Sequence, residues 1–144
     1  MPRGVAVSIF ALTLFLVSCA SHGPSKTERR AEEVAAQNAA ERWLRLLDEG
    51  DYEEAFEWEA KDFRLSRTQA QFVRFMQARR APFGQALSRS AIGAASLHKL
   101  VGVPDGDYES VVFKTVFEHK SATAERVILV KQGVGWRVIG YRIY

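Results

Sequence analysis

The sequence predicts an α+β domain, with N-terminal helices packed on a curved antiparallel sheet of about four strands. Three observations predict it. Residues 27–80 are rich in Ala, Glu, Arg and Leu, with apolar side chains at helical spacing. After Gly84 the period changes, and runs of Val, Ile, Phe and Tyr follow one another to the C-terminus. The connections between the last three runs are short, which makes them antiparallel neighbours. Helices first and a strand meander afterwards is an α+β order.

The first predicted helix is "TERRAEEVAAQNAAERWLRLLDEG", 27–50. Ala35, Ala39, Trp43 and Leu46/Leu47 form its apolar stripe. Thr27 caps its start, and Gly50 suits the position just past its end. Glu32, Glu33, Arg42, Arg45 and Glu49 make the solvated face. Asp51 starts a second helix, with Glu54 completing a capping box and Tyr52, Ala55 and Phe56 as its stripe. Ser66 and Gln69 start a third, 66–80, with Phe72, Phe75, Met76 and Arg79 along one side, and Pro82 and Gly84 end it.

The strand half opens with "QALSRSAIGAASLHKL". In "PDGD", 104–107, proline fixes φ and Gly106 supplies a positive φ, so this is a turn. "YESVVFKTVFEH", "AERVILVKQ" and "WRVIGYRIY" are the remaining strands, joined by "KSAT" and "GVG". These strands are apolar on both faces, where a half-exposed sheet would alternate. Helices cover one face, so the other curls into its own cavity, receives residues 85–103, or meets a partner or a second copy. Tyr108, Val112, Trp136 and Val138 are the expected binding surface there.

Ahead of the domain, residues 5–17 ("VAVSIFALTLFLV") carry no charge and follow Arg3. Thirteen apolar residues fall short of the ~20 that a spanning helix needs, and the layout is that of an export signal. The run ends in "LVSC", which resembles the lipobox of bacterial lipoproteins. That resemblance implies removal of residues 1–18 and at least a diacylglyceryl group on Cys19. Two or more chains hold a protein stably on a membrane, whereas one does not. The alternative is a small cysteine discarded with its leader. The resemblance also implies an exported protein anchored by lipid, on the outer membrane and facing the periplasm in a Gram-negative cell. Residues 19–26 then form the lipidated cysteine and a tether, in which His22 is solvated, and 27–144 form a single domain. Cys19 is the sole cysteine, so no intramolecular disulfide forms.

Without residues 1–18 the chain has 19 Lys+Arg against 17 Asp+Glu, a net charge of +2. No basic run exceeds two residues, as at 29–30 and 79–80, so the pattern of a nucleic-acid reader is missing.

"WLRLLDEGDYEEAFEWEAKDFR", "RRAPFGQALSR", "PDGDYESVVFKTVFEH" and "AERVILVKQGVGWRVIGYRIY" together resemble the DUF4019 family, small bacterial exported proteins of undefined function. The resemblance runs from about Ala39 to the C-terminus. It carries no reaction and no catalytic residues. Its order of elements is similar to NTF2-like and cystatin-like domains, an analogy of fold alone.

The sequence contains no HExxH, CxxC, Gly-rich phosphate loop or G-x-S-x-G elbow. His98 and His119 have no partner at metal-ligand spacing, so neither a metal nor a cofactor is expected. The "GVGW" glycines read as a hairpin turn. Asp62, His98 and Tyr108 are the candidate acid–base groups for an NTF2-like enzyme acting on a small molecule; helix-end, strand-end and half-buried roles are the bland readings. Trp58, between Glu57 and Glu59, either covers a pocket mouth or lies half-buried. Arg79, Arg80 and Arg89 either form an anion site near "APFG" or pair with the first helix. The leading expectation is a lipid-anchored binding or accessory module, not an enzyme, for an envelope partner or a small apolar ligand.

Overall fold

The computed structural model describes Met1 and residues 23–144. The leader 2–18, Cys19 and His22 lie outside the described residues. Four helices come first: α1 (Lys26–Glu49), α2 (Tyr52–Glu57), α3 (Lys61–Leu65) and α4 (Gln69–Arg80). A 3-10 turn, Ala81–Phe83, leads into β1 (Ala86–Leu97), β2 (Tyr108–Phe117), β3 (Lys120–Gln132) and β4 (Gly135–Ile143).

Local chemistry sets the helix ends. Ser25, not Thr27, caps α1: its hydroxyl accepts from the Glu28 amide while the Glu28 carboxylate accepts from the Ser25 amide. Trp43 and Leu47 are buried as the spacing predicts, but the alanines of the stripe are Ala36 and Ala40, each one residue later than expected, and Leu44 joins them. Gly50 closes the helix at φ 80°, in the left-handed region. Asp51 caps α2 through the Glu54 amide. Ser66 does not start the next helix. It ends α3, which the spacing missed, and Thr68 with Gln71 forms the capping box of α4. Phe72 and Met76 point into the core, but Phe75 is exposed.

The sheet is antiparallel in the order β1-β2-β3-β4. Each strand pairs with its neighbours in sequence, and β1 and β4 are its edges. The sheet is therefore open. It neither curls nor closes, which overturns the expected curved, NTF2-like or cystatin-like form. The physical reason is that four strands joined in sequence order make no β1–β4 ladder, so each end of the meander keeps a free edge. "KSAT" is part of β3 and not a loop. In the β1–β2 loop the left-handed glycine is Gly102 at φ 83°, and Gly106 is not in that region.

The helices cover one face of the sheet. Val111, Phe113, Val127, Leu129, Trp136 and Val138 meet Trp43, Leu44, Leu47, Phe56, Phe72 and Met76 in one cluster. Trp43 is the hinge of this core: its indole N–H donates to the Ala55 carbonyl at 2.9 Å, and its ring meets Tyr141 edge-on at 5.2 Å. Burying each large side chain of this kind stabilises the fold by about 1.5–3 kcal/mol.

Candidate functional site

A groove of about 440 Å³ runs between α3 and the β1–β2 loop. Its apolar wall is Phe63, Val103, Pro104, Tyr108, Val130 and Ile139, and Asp62, Ser66, Asp105 and Lys131 give it polar edges. Backbone pairing builds the wall beneath α3. The Ala60 amide donates to the Val138 carbonyl at 2.9 Å, and the Val138 amide donates to Trp58 at 3.1 Å, so the chain ahead of α3 hugs β4. Ile139 is the extra residue of a bulge in β4, opposite the step from Ile128 to Leu129. On the far side the Gly106 amide donates to the His98 carbonyl at 3.1 Å, and the Tyr108 hydroxyl donates to the Pro104 carbonyl. The loop is thereby folded onto the strand and leaves the groove open. Chemically, the groove suits an apolar group with a polar end.

At the entrance to α3, Glu59 is buried and paired with Arg67. Burial raises its carboxyl above the ordinary range, against the pull of Arg67 and Arg64. Glu109, on the helix side of β2, is also pushed up by burial; Ser96 opposes the shift by donating at 2.8 Å, and Glu33 adds to it.

A second polar centre lies deeper. Glu125 of β3 is fully buried and accepts four hydrogen bonds, from Arg80, Tyr141, Arg89 and Thr115. Arg80 also bonds Asp48 of α1, and Arg89 grips both Asp48 oxygens, at 2.6 and 3.1 Å. Burial pulls the Arg89 guanidinium down, but Asp48 and Glu125 outweigh it and hold it above its ordinary value. Burial and Glu125 together raise the Tyr141 phenol, so its hydroxyl remains a donor. The cluster joins α1, α4 and all four strands. Sequence reasoning singled out Arg80 and Arg89, and the structure gives them carboxylate partners, so they do not make an anion site. It missed Glu125, whose signal was a lone acid inside an apolar strand. Arg79 stands apart, 5.7 Å from the Phe75 ring.

The predicted binding surface is not assembled. Trp136 and Val138 are buried on the helix side, paired with Lys131 and Leu129. Tyr108 is buried beneath its loop, and Val112 is half-buried on the opposite face. The cause is the parity of β4, which its turn and its bulge set together and which alternation alone does not reveal. Of the candidate acid–base groups, Asp62 and Tyr108 both line the groove. His98 is exposed past the end of β1, 3.2 Å from Asp107. Trp58 is half-buried, with the Arg42 guanidinium 5.1 Å and the Arg137 guanidinium 5.6 Å from its ring centre. Among the described residues no three metal-ligating side chains come together.

A family description, protein of unknown function (DUF4019), matches residues 39–141. The chain belongs to the DUF4019 family. No curated protein matches it. The matched DUF4019 segment takes in the groove wall from Ala60 to Ile139 and the whole Asp48–Arg80–Arg89–Glu125–Tyr141 cluster. It begins within α1, so the first turns of that helix lie outside it.

Proposed function

We propose that this DUF4019 chain is a lipid-anchored binding module of the bacterial envelope, held by acylated Cys19, and that the groove between α3 and the β1–β2 loop is its ligand site. The groove carries this reading. It is concave and walled by Phe63, Val103, Val130 and Ile139, and its polar groups stand at the edges. A ligand with an apolar body and one polar end fits that distribution, its apolar part leaving water and its polar end meeting Asp62 or Ser66. The apolar run before "LVSC" supports the anchor.

The experiment has two parts. Palmitate labelling and membrane fractionation of wild type and Cys19→Ser test the anchor; labelling lost in the variant is expected, and equal labelling refutes it. Titration with an apolar naphthylamine dye tests the groove. Saturable binding that Ile139→Arg weakens tenfold or more supports the site. Equal binding by both proteins overturns it.

A further inference from the structure

Both loops at one end of the sheet carry a fully exposed valine at the tip, Val101 between β1 and β2 and Val134 between β3 and β4. Turn geometry does not require them. Gly133 supplies the positive φ of the β3–β4 turn, at 62°, and the next position tolerates a polar residue equally well. Val101 precedes Gly102, which holds the corresponding conformation in its own loop. Leu65, at the end of α3, is exposed, and its neighbour Ser66 lines the same groove, as do Gly102, next to Val101, and Gln132, two residues before Val134. Three apolar side chains therefore project into solvent from segments that adjoin the groove lining.

The chain itself indicates what meets them. Lys131 pairs with Glu32, which places the start of α1 at this end of the sheet. Residues 26–31 of α1 are exposed and carry Lys26, Arg29 and Arg30 beside Glu28, with Arg30 paired to Glu33 at 3.2 Å. Six residues separate Cys19 from α1, and fully extended they let Cys19 lie at most about 25 Å from Lys26. A bilayer holding Cys19 therefore lies within reach of the valine tips.

We infer that this end of the domain is a membrane-contact surface, with Val101, Val134 and Leu65 entering the lipid interface and the groove mouth opening onto the bilayer. The inference rests on the anchoring proposed above. Its occupant is the bilayer and not a second copy, because the tether begins beside these tips.

The test uses the full chain reconstituted in phosphatidylcholine–phosphatidylglycerol vesicles, with and without brominated acyl chains. Tryptophan is introduced as Val134→Trp, as Val101→Trp, and at the opposite end as His119→Trp, and the wild-type signal is subtracted. Brominated lipid should quench the tryptophans at 134 and 101, with a blue shift in emission, and leave the one at 119 unquenched. Equal quenching at both ends, or none at 134 and 101, overturns the inference. So does a dimer that shields 134 while lipid does not quench it. The mass of the Cys19 peptide reports acylation separately. An acylated but unquenched chain refutes the contact and leaves the anchor; a quenched but unacylated chain supports the contact and refutes the anchor.

Discussion

Arg80, at the end of α4, and Glu125, in the middle of β3, meet as a buried ion pair with Nη1 and Oε1 3.3 Å apart. They are 45 residues apart in sequence, and their pairing fixes the helical layer on the sheet. Glu125 is the node, since four donors converge on it. Glu125→Ala leaves two guanidinium groups short of a partner in the interior. Removing one member of such a buried pair costs about 3–5 kcal/mol. Chemical denaturation of the variant should show a loss of that size. A loss under 1 kcal/mol would mean that water or Asp48 satisfies the arginines equally well.

Gly84 follows the 3-10 turn with φ 74° and ψ −156°, a conformation open to glycine alone. A Cβ there would stand 2.6 Å from a Glu118 carboxylate oxygen, which already accepts from the Gln85 amide at 2.8 Å. Gly84→Ala should therefore destabilise the fold by about 1–3 kcal/mol. Gly106 differs: a Cβ would meet the Tyr108 ring at an ordinary 3.4 Å, and its φ is outside the left-handed region. Gly106→Ala should stay within about 0.5 kcal/mol of wild type. Thermal melts of both variants check the contrast, and equal shifts would contradict it.

Much of this was legible in the sequence. The α+β order, the Gly50 stop and the strand runs at 108–117 and 135–143 follow from periodicity and turn chemistry. Their faces do not. Trp43 and Leu47 of the α1 stripe hold their expected places, but its alanines moved by one residue because Ala35 and Ala36 are alike in the pattern, and only packing against the sheet chooses between them. Ile139 bulges out of β4, and that single residue separates the true face of Trp136 and Val138 from the expected one. The groove was illegible for a related reason. Its walls come from α3, from a loop and from two strands, and no local pattern records that they converge. Asp62 and Tyr108 were singled out as candidate acid–base groups, and both line that groove beside its apolar residues.

Glu109 sets a pH dependence. Its folded-state carboxyl titrates above the unfolded value, chiefly through burial. The folded protein then binds more protons than the unfolded chain just above the ordinary carboxyl range, so stability falls as pH rises through that window. Glu59 acts in the same direction. Glu109→Gln removes the buried charge and lets an amide group take the place of the unpartnered Oε1. Its melting midpoint should exceed that of wild type at neutral pH, and the difference should vanish well below the carboxyl range. A variant less stable at neutral pH would show that the charge is stabilising.

The groove is the centre of the functional account, and a methyl-resolved NMR titration tests it most directly. The full chain in detergent micelles is titrated with the naphthylamine dye while the Ile and Val methyl signals are followed. The account predicts saturable shifts at Val103, Val130 and Ile139, with Val112 and Val116 unmoved. Shifts centred on Val112 and Val116, or no saturable shift in the groove, would contradict it.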